Sequence, residues 1–374
     1  MTDAARPPAV VLLGGPSAEH DVSVVSGTAI AEALAAEGYQ VHQVLIDLDG
    51  GWWWLPDGHR RDGRPAAAYD DPIGLEAQGP FSPGAALDRL AGMRPAPVIV
   101  IALHGPFGED GTVQALLESV GLAYTGSGVA ASAIGMDKTL FKRLCRGIGL
   151  PIVDWREVHA GGWARDPAAV RGELTAFAAG AADPRLMVKP ARLGSSVGMT
   201  LVHDTSELDA ALETAFRYDT LALVETYVPG ARDLEVAVIG NGPAGLELFG
   251  PGEIVSGHEF YDFAAKYTAG LSETSTRAEV SDRERAVMQK IARDAYRAIG
   301  AEGFARVDFL LAGETIWLSE INTIPGFTPI SLFPTMSAEG GYSFGAVCSR
   351  IVELALERHA GRAGRRLSPG DLPR

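Results

Sequence analysis

Two apolar-rich runs, ARVDFLL (305–311) and TIWLSEIN (315–322), carry four side chains able to do chemistry. Arg306 and Asp308 are two apart on the first run, and Glu320 and Asn322 are two apart on the second. Each pair therefore shares one face of a strand. The intervening Ala312-Gly313-Glu314 is a hairpin signal. A hairpin centred on Gly313 pairs 306 with 320 and 308 with 318, which sets all four groups on one side. A one-residue slip would separate the two sets. Two carboxylates and an amide oxygen on a rigid surface suit Mg²⁺, a hard cation that takes a few oxygen ligands beside substrate phosphates. The competing reading is a solvated face with an ordinary Arg–Asp pair, which is common on protein surfaces.

Other segments supply groups that fit such a site. LMVKP places Lys189 at the end of an apolar strand, with Pro190 stopping the ladder. Arg192-Leu193-Gly194-Ser195-Ser196-Val197-Gly198-Met199 follows as a small-residue loop whose backbone N–H groups can approach an anion closely. It is not a Walker A loop, since no G-x-x-x-x-G-K-[ST] occurs. With a second lysine in Met136-Asp137-Lys138-Thr139, it offers the charge neutralisation that a nucleoside triphosphate requires. Taken alone, solvated lysines on a surface loop explain these residues as well.

These groups need a scaffold. Val10–Leu13 is a short apolar strand leading into Gly14-Gly15-Pro16-Ser17-Ala18-Glu19. Helical spacing over Ser23–Glu37 and a second strand, YQVHQVLID, complete a βαβ unit. Ligands of open α/β sheets sit beyond the carboxyl ends of strands. Glu19 lies there, as does His104 after the strand Val98–Leu103. A glutamate near a helix start is more often a dipole-complementing residue. Residues 50–95 read as a hairpin and loops with little visible chemistry. Leu221–Glu225 and LEVAVIG, which contains Glu235, are further strands. The aperiodic, aromatic and charged stretch 258–267 reads as an active-site cover. A strong amphipathic helix at Ser281–Ile299 precedes the hairpin.

The chain of 374 residues has room for two or three cores. Its formal charge of −15 argues against nucleic-acid or anionic-membrane partners. Two cysteines, Cys145 and Cys348, make neither a disulfide framework nor a metal cluster and fit a reducing cytoplasm. The N-terminal apolar run is too short for a signal peptide, and no stretch approaches a transmembrane span. The tail beyond about residue 360 reads as a mobile end.

In this order, GGPSAEHDVS (14–23), HGPFGEDGTVQ (104–114), MDK (136–138), VKPARLGSSVGM (188–199), FYDFAAKY (260–267) and RVDF…EINTIPGFTPISLFP (306–334) resemble the D-alanine–D-alanine ligases of the ATP-grasp superfamily. The resemblance spans about residues 10–355. It implies an α/β, three-domain ATP-grasp fold: an N-terminal Rossmann-like (preATP-grasp) domain at 1–126, then a central subdomain at 127–224. A C-terminal subdomain at 225–374 would carry the metal site and second-substrate loop.

What the resemblance implies about the site is detailed. Lys138 and Lys189 would hold the ATP phosphates, with Ser196 and its loop closing over them; Glu225 and Val228 would hold the adenine, Glu235 the ribose, and Lys266 would also bind the nucleotide. Asp308, Glu320 and Asn322 would ligate two Mg²⁺ ions, with Mn²⁺ able to substitute. Arg306 and the backbone N–H of Gly326 would stabilise the tetrahedral intermediate. Glu19, with His104 nearby, would take the ammonium of the first D-alanine, and Ser331 and Leu332 the carboxylate of the second. Glu19, Ser195 and Tyr267 would form a hydrogen-bonded triad, and the intact Lys266-Tyr267 pair implies dipeptide rather than depsipeptide synthesis. A cytoplasmic homodimer is expected. D-Lactate or D-serine as second substrate is the nearest alternative. A non-catalytic homologue would have lost Lys189, Arg306, Asp308, Glu320 or Asn322, and all five are present. Another ATP-grasp enzyme would leave the SAEHDVS, FYDFAAKY and PGFTPIS blocks unexplained.

Overall fold

A computed structural model describes residues 6–242, 245–256 and 272–363. Three sheets follow one another along the chain. The first is built from β1 (Ala9–Gly14), α1 (His20–Ala36), β2 (Val41–Ile46), β3 (Trp52–Trp54), β4 (Gln78–Phe81), α2 (Pro83–Gly92), β5 (Val98–Ile101), α3 (Thr112–Ser119) and β6 (Ala123–Tyr124). Its order is β4-β3-β2-β1-β5-β6, with β1 parallel to both β2 and β5. Every residue of β1 is buried. Val10 and Leu12 face one core while Ala9 and Val11 face another, the pattern of a strand covered on both sides.

Two helices, α4 (Val129–Met136) and α5 (Lys138–Gly147), lead to the second sheet. That sheet uses β7 (Trp155–His159), α6 (Ala160–Arg165), α7 (Pro167–Ala179), β8 (Leu186–Pro190), β9 (Thr200–Val202), α8 (Leu208–Phe216) and β10 (Leu221–Thr226). Its antiparallel order is β7-β10-β8-β9, and it has a core of its own, in which Leu174, Leu208 and Leu212 pack on Leu186, Val188 and Val224.

The third sheet comprises β11 (Arg232–Ile239), β12 (Glu247–Ser256), β13 (Ser272–Ser275), α9 (Asp282–Ala298), β14 (Phe304–Ala312) and β15 (Thr315–Asn322), in the order β13-β12-β11-β14-β15. Helices α10 (Leu332–Ser337) and α11 (Phe344–Ala363) follow. A capping box between Ser281 and Glu284 starts α9. One face of this sheet packs against α9, with Val236, Val307 and Ile321 meeting Met288, Ala292 and Tyr296. On the other face Ala237, Ile239 and Phe304 join Val11, Leu34 and Val98 of the first unit and Val347 and Ile351 of α11 in one continuous core. The first and third units are thus packed together; the second has a core of its own on one face, and Leu223 of β10 and Trp155 of β7 join the core of the third unit on the other. Arg358 of α11 reinforces the join: it donates to the carbonyls of Tyr124 (2.7 Å) and Gly126, and its guanidinium lies 4.2 Å from the Tyr124 ring centroid.

The β14–β15 register differs from the expected one. Gly313 and Glu314 make a two-residue turn, Gly313 at φ +58°, so Ala312 faces Thr315 and Phe309 faces Leu318. The ladder then shifts, and Asp308 faces Glu320 while Arg306 faces Asn322. Both pairs are displaced by two residues from the expected 308–318 and 306–320. The turn supplies one residue of displacement and a bulge at Ser319 the other. Because the total is even, the four groups still share a face.

Candidate active site

On that face Asp308 is held by Arg306 through two parallel hydrogen bonds of 2.7 and 2.6 Å. Asn322 Nδ2 donates to Asp308 Oδ2 at 2.9 Å. Glu235 lies opposite Asp308 on β11, and its Oε2 is 3.2 Å from Arg306 Nε. Burial opposes the charge of Arg306, but Asp308 and Glu235 outweigh it, and its pKa rises well above the ordinary value. Glu320 pairs with Lys138 Nζ at 3.1 Å. Asp308, Glu320 and Asn322 therefore converge, as expected, with cations of the chain beside the acids.

Asp137 caps α5, its Oδ1 accepting from the N–H groups of Thr139 and Leu140 at 3.0 Å each. That start directs Lys138 and, one turn on, Lys142 from the same side of the helix. Lys138 also donates to Leu193 O at 2.9 Å, which ties α5 to the Gly/Ser loop. Lys142 pairs with one oxygen of Glu225, and Lys189 with the other. On adjacent strands β8 and β10, Lys189 faces Leu223 and Glu225 faces Met187, so Lys189 and Glu225 are diagonal neighbours on one face. Burial raises the carboxyl pKa, but the two ammonium groups overcome it and hold Glu225 down to about 2. Lys142 is lowered by burial, and repulsion from Lys189 adds to that against the attraction of Glu225.

Glu19 precedes α1, and its Oε1 accepts from Ser195 Oγ, so the loop of the second unit reaches the first. Glu19 Oε2 is buried without a hydrogen-bond partner among the described residues. A Cβ on Gly105 or Gly194 would stand 2.6 or 2.9 Å from that oxygen, so both positions accept only glycine at this approach. Ser195 and Ser196 adopt φ of +51° and +56°, a left-handed conformation rare outside glycine that recurs at ligand clamps.

His104 joins elements rather than standing open. Its Nδ1 lies 3.0 Å from Ile324 O, which can only accept, so Nδ1 carries the proton and Nε2 accepts from Ser26 Oγ at 2.9 Å. Burial lowers its pKa and keeps the ring neutral. In the loop after β15, a Cβ on Gly326 would lie 3.5 Å from Ser331 Oγ, so these two expected contributors are adjacent. Thr328 N donates to Ser331 Oγ at 3.0 Å, and Thr328 Oγ1 is 2.8 Å from the same atom. Leu332 is buried in the core shared with α11. Val228 lies in the β10–β11 connection, its carbonyl accepting from Ala231 N. Lys266 and Tyr267 lie outside the described residues.

Two groups were not singled out by sequence reasoning. Glu109, within the HGPFGEDG block, is buried with Oε2 3.1 Å from Gly105 N. Burial and then Glu19 push its carboxyl well above the usual range. Lys142 was visible only as a residue four beyond Lys138. No group of three His, Cys, Asp or Glu that could hold a metal unaided occurs among the described residues. Two carboxylates and an amide suit Mg²⁺ where phosphate oxygens complete its shell.

Lys138 on Glu320, Lys189 on Glu225 and Arg306 on Asp308 set cations beside carboxylates on α5 and two antiparallel sheets, an arrangement that suits a nucleoside triphosphate with its metal and so an ATP-dependent ligase. Residues 9–127 match the family model "D-ala D-ala ligase N-terminus" and residues 144–353 match "D-ala D-ala ligase C-terminus". The chain belongs to the D-alanine–D-alanine ligase family. It is 38% identical to the D-alanine–D-alanine ligase of Heliobacterium modesticaldum over 97% of this chain and 98% of that one. Among solved structures, the D-alanine–D-alanine ligase of Coxiella burnetii superposes with a TM-score of 0.74 at 30% identity, covering 96% of this chain and 97% of that chain. The D-Ala:D-Ser ligase of Enterococcus faecalis gives 0.78 at 28% identity, covering 94% and 100%.

Proposed function

We propose that this protein joins two D-alanine molecules into D-alanyl-D-alanine at the expense of ATP, with Mg²⁺, for peptidoglycan precursor synthesis. The observation that carries the reading is the set of lysine–carboxylate pairs. Lys138 sits on Glu320 and Lys189 on Glu225, while Arg306 and Asn322 hold Asp308, which faces Glu320 across the hairpin. Mg²⁺ held by Asp308, Glu320 and Asn322 would supply neutralisation of the phosphate oxygens.

The carboxylate of the first D-alanine attacks the γ-phosphate, giving an acyl phosphate and ADP. The amine of the second then attacks that carbonyl, and phosphate leaves. The protein supplies position and charge rather than a nucleophile. Lys138 and Lys189 neutralise phosphate, with Ser196 closing over it, and the family resemblance adds Lys266 to the nucleotide's ligands. Arg306 and the Gly326 N–H take the developing oxyanion. Glu19 receives the first ammonium, and Ser331 and Leu332 the second carboxylate. Glu225 and Val228 receive adenine, and Glu235 the ribose. Ser195 donates to Glu19, and the family resemblance makes Tyr267 their third partner. The cover excludes water, which would hydrolyse the acyl phosphate.

We place the enzyme in the cytoplasm as a homodimer; both cysteines are buried and unpaired, in keeping with a reducing compartment. No helix among the described residues is long and apolar enough to cross a membrane. The test is to incubate the protein with ATP, Mg²⁺ and D-alanine. Phosphate is expected in step with dipeptide detected by mass, and phosphate without dipeptide would defeat the reading. Competing D-lactate or D-serine against D-alanine settles the second substrate, with dipeptide the expected product. Light scattering at monomer mass would overturn the dimer.

A further inference from the structure

The Lys142–Glu225–Lys189 cluster holds more positive charge than its one carboxylate balances. Lys142 is 1% exposed at its side chain and Glu225 is 7%. The two lysines differ in what lies beyond them. Lys189 is the last residue but one of β8, with four residues between it and the Gly194–Gly198 loop, where a polyphosphate would arrive. Lys142 is enclosed by α5, Glu225 and Trp155, whose ring centroid is 5.7 Å from Nζ. Cys145 on the same helix is pushed up to about 12 by burial and stays a neutral thiol, which adds no competing charge.

We propose that Lys142 is a positioning residue for the nucleotide base, acting through Glu225. This rests on the reading of Glu225 as the acceptor for adenine. When phosphate draws Lys189 away, one oxygen of Glu225 becomes available for the hydrogens of an exocyclic amino group. Lys142 remains on the other oxygen, keeping the carboxylate ionised and fixed in direction. Without it, the buried carboxylate would take up a proton as Lys189 leaves, and could then donate to a carbonyl, or it would keep hold of Lys189. Either result weakens an amino-bearing base more than one carrying a carbonyl at the same place.

The experiment measures binding of ADP and inosine diphosphate by calorimetry, and kcat/KM with ATP and inosine triphosphate. Wild type is expected to prefer the adenine nucleotides. Lys142→Met is expected to lower that preference by about tenfold or more, the scale of one charge-assisted hydrogen bond. Lys142→Arg, which keeps the charge, should restore most of it. Glu225→Gln should lower it similarly, and adding Lys142→Met to Glu225→Gln should lower it no further, which also serves if the single Met variant fails to fold. An unchanged preference in Lys142→Met, or equal loss for both bases, overturns this inference alone. Wild type that neither binds ADP nor makes dipeptide overturns the parent reading with it.

Discussion

Asp308 and Glu320 face each other across β14 and β15 because the ladder shifts past Ser319. In an unbroken register Asp308 would face Ser319, and Glu320 would pair with Val307 and point into the apolar core against α9. The bulge therefore sets both carboxylates on the face that carries Arg306 and Asn322. Asp308→Asn keeps the shape but removes the charge that Arg306 grips. Phosphate release is expected to fall by about 10² or more, with Mg²⁺ required at higher concentration. A Mg²⁺ titration of ADP formation measures both.

Lys138 bridges Glu320 and Leu193 O, which links the metal face to the Gly/Ser loop. Lys138→Met should raise KM for ATP by about 10-fold or more, the scale of one charge-assisted contact, and leave KM for D-alanine nearly unchanged. Steady-state kinetics with each substrate varied in turn separates the two. Equal changes in both constants would contradict the assignment.

Ser195→Ala removes the hydroxyl that Glu19 accepts across the first and second units. Glu19 would keep its charge but lose a partner, and kcat/KM for the first D-alanine should drop by about 10- to 100-fold. Unfolding temperature should hardly move, because the loop is not part of a core.

Acid should loosen the second unit through Glu225. Its carboxyl is held down to about 2, below the ordinary carboxylate value it would have unfolded. The unfolded chain then binds the proton more readily, so stability from this group is present above about pH 4.5 and is lost as pH falls toward 2. Denaturant unfolding across that window should show a steeper fall for wild type than for Glu225→Gln.

Arg358 bears on the join between the first and third units. Arg358→Ala strands two carbonyls, of Tyr124 and Gly126, and empties a site stacked on the Tyr124 ring. A loss of about 2–4 kcal/mol in unfolding free energy is expected. Arg358→Lys, with a narrower donor set, should recover only part of it.

Much of this protein is determined by the sequence alone. The strand-to-glycine transitions at 13–14 and 103–105, Lys189 ending LMVKP and the i, i+2 placement of Arg306 with Asp308 and of Glu320 with Asn322 are local facts, set by side-chain periodicity. The order of the motif blocks carries the family. Tertiary structure decided the rest. A bulge has no one-residue signature, so the register of the hairpin had to be read from the paired strands. His104 looked like a ligand because it ends a buried strand, yet Ser26 and Ile324, far from it in sequence, take both its nitrogens. Lys142 looked like any helix lysine until β8 and β10 brought Lys189 and Glu225 to it. A charge acquires its meaning from the charges folded against it, and those come from distant parts of the chain.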